Sequence, residues 1–112
     1  METQMLATDA LSLEALTYDY FKEGVMLRRQ LGKEILSNTG IWADVAFLHQ
    51  DLNVGTDEWK PPKVTVARFK HTGGVWRKQD HFNVNSARRA DQITAVLSKW
   101  RVQIGAENVQ EG

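Results

Sequence analysis

The 112-residue chain contains no cysteine, which removes disulfide cross-links, thiolate nucleophiles and cysteine-based zinc centres at one stroke. A reducing compartment suits such a chain, and a cytoplasmic location is the expectation. Histidine is scarce: His49, His71 and His81 fall in no HxxxH or HExxH spacing, so neither a metal centre nor an array of general bases is predicted. Phosphate-loop, dinucleotide-fold and nucleophile-elbow signatures are also missing. Asp44, Asp80 and Asp91 stand singly. The expectation is a protein that is not an enzyme and carries no cofactor. No apolar run approaches the ~18 residues of a membrane span, and the first thirty residues lack the basic and apolar segments of a secretory leader. No membrane association is expected.

What the chain does have is charge packed into one segment. Lys60 to Arg101 holds ten Lys or Arg against two Asp, a net +8, while residues 1 to 59 hold four basic and ten acidic side chains, and the whole sums to zero. Fixed cations gain free energy by displacing counterions from phosphates, so a basic segment of this density points to an anionic partner such as nucleic acid. Hydrophobic content of 42% with 25% charged residues is that of an ordinary globular domain. One α+β domain over residues 10–104 is expected, between a flexible N-terminus at 1–9 and a flexible tail at 105–112.

Leu11, Ala15 and Tyr18 fall at helical spacing after a capping Thr8 or Asp9, which predicts a short helix from Ala10 to Phe21 ended by Gly24. Residues 25 to 36 fit a helix or a strand by spacing; Gly32 and the turn-forming Ser37-Asn38-Thr39-Gly40 favour the strand. Ile41, Ala43, Val45 and Phe47 alternate along a half-buried strand over 41–50. Asp51 to Pro62, with its consecutive prolines, reads as a long loop and a plausible mobile arm. Lys63–His71 and Val75–Asn85 form two strands around Gly73-Gly74, a pair able to take the positive φ angles of a tight hairpin turn. Ser86 or Asn85 caps a helix from Ala87 to Val102, whose Ala90, Ile93, Leu97, Trp100 and Ile104 make one narrow apolar stripe. The predicted fold is therefore a four-stranded, mainly antiparallel sheet with the C-terminal helix on one face and a short N-terminal helix.

Centring the hairpin on Gly73-Gly74 sets Lys70 opposite Arg77, Arg68 opposite Gln79 and Val66 opposite His81. That face also gains Val64, Val75 and Asn83. The other face collects Ala67, Phe69, Trp76, Phe82 and Val84, a match for the helix stripe. Like charges opposed at Lys70 and Arg77 are mildly destabilising unless an anion or a carboxylate lies between them. Long cations also snorkel harmlessly over a solvated sheet. Trp59, in the loop beside Lys60, is the leading candidate for stacking a nucleic-acid base; Trp42 and Phe47 fit core positions better.

Four strands and a closing amphipathic helix, with the basic hairpin Lys63-Val-Thr-Val-Ala-Arg-Phe-Lys-His71 and Val75-Trp-Arg-Lys78, resemble the layout of the transcriptional coactivator positive-cofactor-four and Whirly families over about Val25 to Trp100. The Lys-Gly-Lys-Ala-Ala-Leu segment typical of plant Whirly proteins is absent. The resemblance implies binding of single-stranded DNA or RNA on a curved sheet, and a homodimer. Residues assigned to that interface are Arg68, Lys70, Arg77, Lys78 and Lys60 for phosphates, Trp59 for stacking, Gln79 and Asn83 for base edges, and Arg88 and Arg89 for added positive field. The alternative is a small adaptor whose charged sheet or helix seam docks another protein.

Overall fold

The computed structural model describes residues 9–105. Its elements run β1 (Tyr20–Lys22), β2 (Val25–Asn38), β3 (Trp42–Asn53), β4 (Glu58–Trp59), β5 (Lys63–Thr72), β6 (Val75–Val84) and α1 (Ala87–Trp100). All strand pairs are antiparallel, in the order β1-β2-β3-β5-β6, with β4 paired to the end of β3. The sheet curls into a half-barrel. The antiparallel α+β class is as expected, but the sheet is not four-stranded: the two short strands β1 and β4 extend it.

Strict alternation along β3 decides which side of the sheet is dry. Ala43, Val45, Phe47 and His49 are buried, and they meet Thr65, Ala67 and Phe69 of β5 on the same face. Phe47 stacks on Tyr18 at 4.8 Å and meets Phe69 edge-on at 6.4 Å. Gly73 and Gly74 have φ of 60° and 78°, so the β5–β6 turn is the one that a Gly-Gly pair allows. Between β2 and β3, Thr39 Oγ1 accepts from Trp42 N at 2.9 Å, and Asn38 Oδ1 accepts from Gly40 N at 2.8 Å.

The N-terminal helix does not form. Residues 9–19 instead cross the dry face as an irregular strap that buries Ala10, Leu13, Leu16 and Tyr18, a spacing no helix stripe provides, while Leu11 and Ala15 stay exposed. Three strap carbonyls, of Leu13, Glu14 and Leu16, accept from Lys33 Nζ rather than from helical amides. Ala10 exchanges both backbone hydrogen bonds with Trp76, at 3.2 and 2.8 Å, and so covers part of the β6 edge. Tyr20 and Phe21, expected at the helix end, lie in β1, and Gly24 serves the Glu23-Gly24 turn into β2, where both residues have positive φ.

The strap takes the place expected for the C-terminal helix. Ser86 caps α1 as expected, its Oγ accepting from Arg89 N at 3.1 Å. No residue of the helix is buried, however, and Trp100 remains 52% exposed. Along its apolar stripe Ala90 and Ile93 are half-buried, while Leu97 and Trp100 stay mostly exposed. Of the flexible termini expected at 1–9 and 105–112, residues 1–8 and 106–112 lie outside the described residues, while Asp9 is buried and held by Arg77.

One further correction concerns register. Lys70 opposes Arg77 as expected, but a bulge at Gln79 shifts all that follows, so Arg68 opposes Asp80 and Val66 opposes Phe82. Past the bulge Phe82 and Val84 turn to the open face and Asn83 to the covered one, the reverse of the simple count. Val75, expected on the wet face, is buried. The loop after residue 50 is also more regular than expected. β3 continues to Asn53, and Lys60 N donates to Asp51 O at 2.8 Å, which ties the returning chain back to β3.

Candidate functional site

The face opposite the strap carries no covering segment among the described residues. From β3 it takes Trp42, Asp44, Ala46, Leu48 and Gln50, and from β5 Val64, Val66, Arg68 and Lys70, by the same alternation that buries their neighbours. At one end Trp42 lies directly across from Lys70, and its ring carries the Arg68 guanidinium at 4.6 Å and the Lys70 ammonium at 5.1 Å. The nearest carboxylate, Asp44, is 3.9 Å from Arg68 Nε, too long for a strong pair. At the other end Trp59 pairs with Leu52, and the Arg29 guanidinium sits 4.2 Å above its ring. Arg29 Nε donates to Gln50 Oε1 at 2.8 Å, and Gln50 Nε2 donates to Lys60 O at 3.1 Å. Each end thus offers an aromatic plane and cations together.

Between them the floor mixes apolar and acidic side chains. A cleft of about 330 Å³ is lined by Leu36, Asp44, Val66, Arg68, Asp80, His81 and Phe82. A second, of about 350 Å³, is lined by Gly32, Lys33, Glu34, Ala46, Phe47, Leu48 and Val64. Leu36 and Phe82 are 58% and 54% exposed there.

The assigned residues divide between the two sides. Arg68, Lys70 and Trp59 are gathered on the open face, whereas Lys60 lines a pocket with Asp51, Lys63 and Asn85. Arg77 donates from Nη1 to the buried carboxylate of Asp9 at 3.3 Å, which supplies the negative charge that the Lys70–Arg77 opposition calls for. Lys78 lies on the strap side, its ammonium 5.8 Å from the Tyr18 ring. Gln79 occupies the bulge, and its Nε2 donates to Arg77 O at 3.1 Å. Asn83 Oδ1 accepts from Thr65 Oγ1 at 2.6 Å on the strap side. Arg88 and Arg89 are exposed on the first turn of α1, away from the Trp42 cluster in sequence and in the fold. Trp42 and Arg29 were missed from the sequence. For Trp42 the signal was present, since it has the opposite parity to Ala43, Val45 and Phe47. Arg29 lies next to a strand irregularity after Gln30 that no pattern announces.

A buried polar chain backs the core at the Trp59 end. Thr65 donates to Asn83, so its oxygen accepts from His49 Nε2–H at 2.7 Å; the neutral imidazole then presents a bare Nδ1 towards Asp51 Oδ1, 3.8 Å away. Burial pushes the His49 pKa down to about 4, with the Arg28 charge adding to the effect and Asp51 opposing it. Burial alone would raise the Asp51 carboxyl. Hydrogen bonds and charge from Lys63 and Arg28, each at 3.0 Å, outweigh that and hold it below the usual carboxylate value. Thr65 and His49 are sealed from solvent, so this array is structural rather than nucleophilic. Among the described residues no group of three or more His, Asp or Glu converges as metal ligands, and no helix is long and apolar enough to cross a membrane.

No protein-family model matches the chain, and no match is found among curated proteins or solved structures.

Proposed function

We propose that the protein binds single-stranded DNA or RNA with low sequence specificity on the open sheet face, and that it does so as a homodimer. The observation that carries this is the Trp42 cluster: a half-buried indole with two cations at its face, on a surface that no described segment covers. Rings beside a cationic track hold bases by stacking, at ~1–3 kcal/mol per base, and phosphates by charge. Arg68, Lys70 and Lys60 serve phosphates in this arrangement, and Arg88 and Arg89 add positive field. Arg77, Lys78 and Asn83 serve the fold. Homodimerisation rests on α1, whose Ile93, Leu97 and Trp100 recur at spacings of four and three, the seam of a paired helix.

Fluorescence anisotropy of a labelled single-stranded oligonucleotide at about 50 and 200 mM salt tests the binding, because phosphate contacts weaken steeply across that range. Saturable, salt-sensitive binding that is lost in the Arg68→Glu, Lys70→Glu double variant, with the fold retained, supports the assignment. Binding retained in that variant refutes it. A second class of function, docking of a partner protein, is favoured by the exposed apolar side chains of Leu36 and Phe82, and it predicts association that changes little with salt.

A further inference from the structure

The two Trp–cation clusters lie at opposite ends of the same strand. Trp42 opens β3, and Trp59 pairs with Leu52 close to its end. Ten residues at ~3.3 Å each separate positions 42 and 52, a contour of roughly 33 Å. The two shallow clefts lie in series between these ends. The Leu36, Val66 and Phe82 cleft comes first from Trp42, and the Gly32, Leu48 and Val64 cleft follows. Both are at the small end of the ~300–1,000 Å³ range of small-molecule sites. Gly32 stands opposite Leu48 in the second, where an added Cβ would make ordinary van der Waals contact with Leu48 Cβ at 3.5 Å.

Resting on the single-strand reading above, we infer that the strand lies lengthwise along β3, its bases turned inward, and is stacked at both ends by Trp42 and Trp59. Three features fix this path. Cations flank the two indoles, with Arg68 and Lys70 at one end and Arg29 at the other, so phosphates are held there. The floor between sets Leu36, Leu48, Val64, Val66 and Phe82 among the carboxylates of Glu34, Asp44 and Asp80, which accepts base faces and repels a phosphate backbone. The guanidinium and ammonium groups now resting on the indoles are the groups that move to phosphate oxygens when a base takes the ring face. A duplex, whose bases point to its own axis, does not fit such a floor. The footprint falls within the ~4–16 nucleotides that comparable single-strand grooves occupy.

The test uses the full chain and its four tryptophans as separate reporters, with indole N–H resonances assigned through single Trp→Phe variants and followed during titration with a 12-nucleotide oligothymidylate. Trp42 and Trp59 are expected to shift together, and buried Trp76 to stay in place. Trp42→Ala and Trp59→Ala should each weaken binding of the 12-mer by about five- to a hundredfold in anisotropy, the range expected for loss of one stacked base. A duplex of the same length should compete at least tenfold less well. Binding in which only one of the two indoles shifts, or which survives both substitutions, overturns the lengthwise path and leaves single-strand binding standing. No binding at low salt overturns both.

Discussion

At the level of single residues, His49 links pH to stability. In the unfolded chain its pKa is the ordinary 6.5, and in the fold about 4, so between these values the unfolded state binds the extra proton. Stability is fully present above about pH 6.5 and falls as pH drops towards 4, by up to about 3 kcal/mol. Urea midpoints at pH 7.5, 5.5 and 4.5 should decline in that order, and His49→Gln should flatten the decline. Asp51, whose folded pKa is depressed, loses its contribution only as pH falls through that lower value, below the His49 window. Arg77 and Lys70 separate structure from binding in the same way. Arg77→Ala removes a cation from a buried carboxylate and should cost about 1–3 kcal/mol, whereas Lys70→Ala should leave the urea midpoint unchanged while weakening oligonucleotide binding. Of these roles, the sequence showed that Lys70 and Arg77 oppose one another. Which of the two is neutralised depended on Asp9, sixty-eight residues from Arg77, and no local pattern encodes that pairing.

Elements differ in how far the sheet depends on them. The strap is bound by Lys33, whose pKa is pushed down by burial and partly restored by Glu14. Lys33→Met removes the donor to three carbonyls and should loosen residues 9–19, which limited proteolysis would detect as new cleavage in the strap and fluorescence as a wetter Trp76. The helix is the contrary case. Ser86→Ala should destabilise α1 by about 1 kcal/mol and lower helical circular dichroism, yet shift the unfolding midpoint of the sheet little, because no residue of α1 is buried. Strands β2, β3, β5 and β6, the Gly-Gly turn and the α1 cap were legible because each follows from local chemistry: alternation, positive φ, a hydroxyl at the N-cap. The strap was not, because its buried residues follow the contours of Phe47 and Trp76 rather than any period of their own. Nor was the bulge, since both registers offer reasonable neighbours up to Arg68.

The whole molecule is neutral, yet its charges are spent unevenly. Asp51 engages Arg28 and Lys63, and Asp9 engages Arg77, so part of the +8 segment is neutralised by the acidic first half of the chain. Outside these pairs stand Arg68 and Lys70 beside Trp42, Arg29 beside Trp59, and Arg88 and Arg89 on α1. The same molecule leaves Leu97 and Trp100 of the helix seam mostly exposed, and the expected consequence is a dimer in light scattering that Leu97→Asp converts to monomer without unfolding the sheet. Monomeric wild-type protein at micromolar concentration would contradict the helix-paired assembly.

The bulge at Gln79 behaves like a frameshift written in space rather than in codons. On the turn side of it, alternate residues put Lys70 and Arg77 on the open face; beyond it, the same alternation counted one place later puts Asp80, Phe82 and Val84 there. Composition is untouched, yet β6 presents Asp80, Phe82 and Val84 to this face where an unbroken register would present Gln79, His81 and Asn83. Indels at this position therefore repaint the sheet without altering a single side chain, so length variation in the β6 strand would change what such a face recognises more abruptly than substitution does.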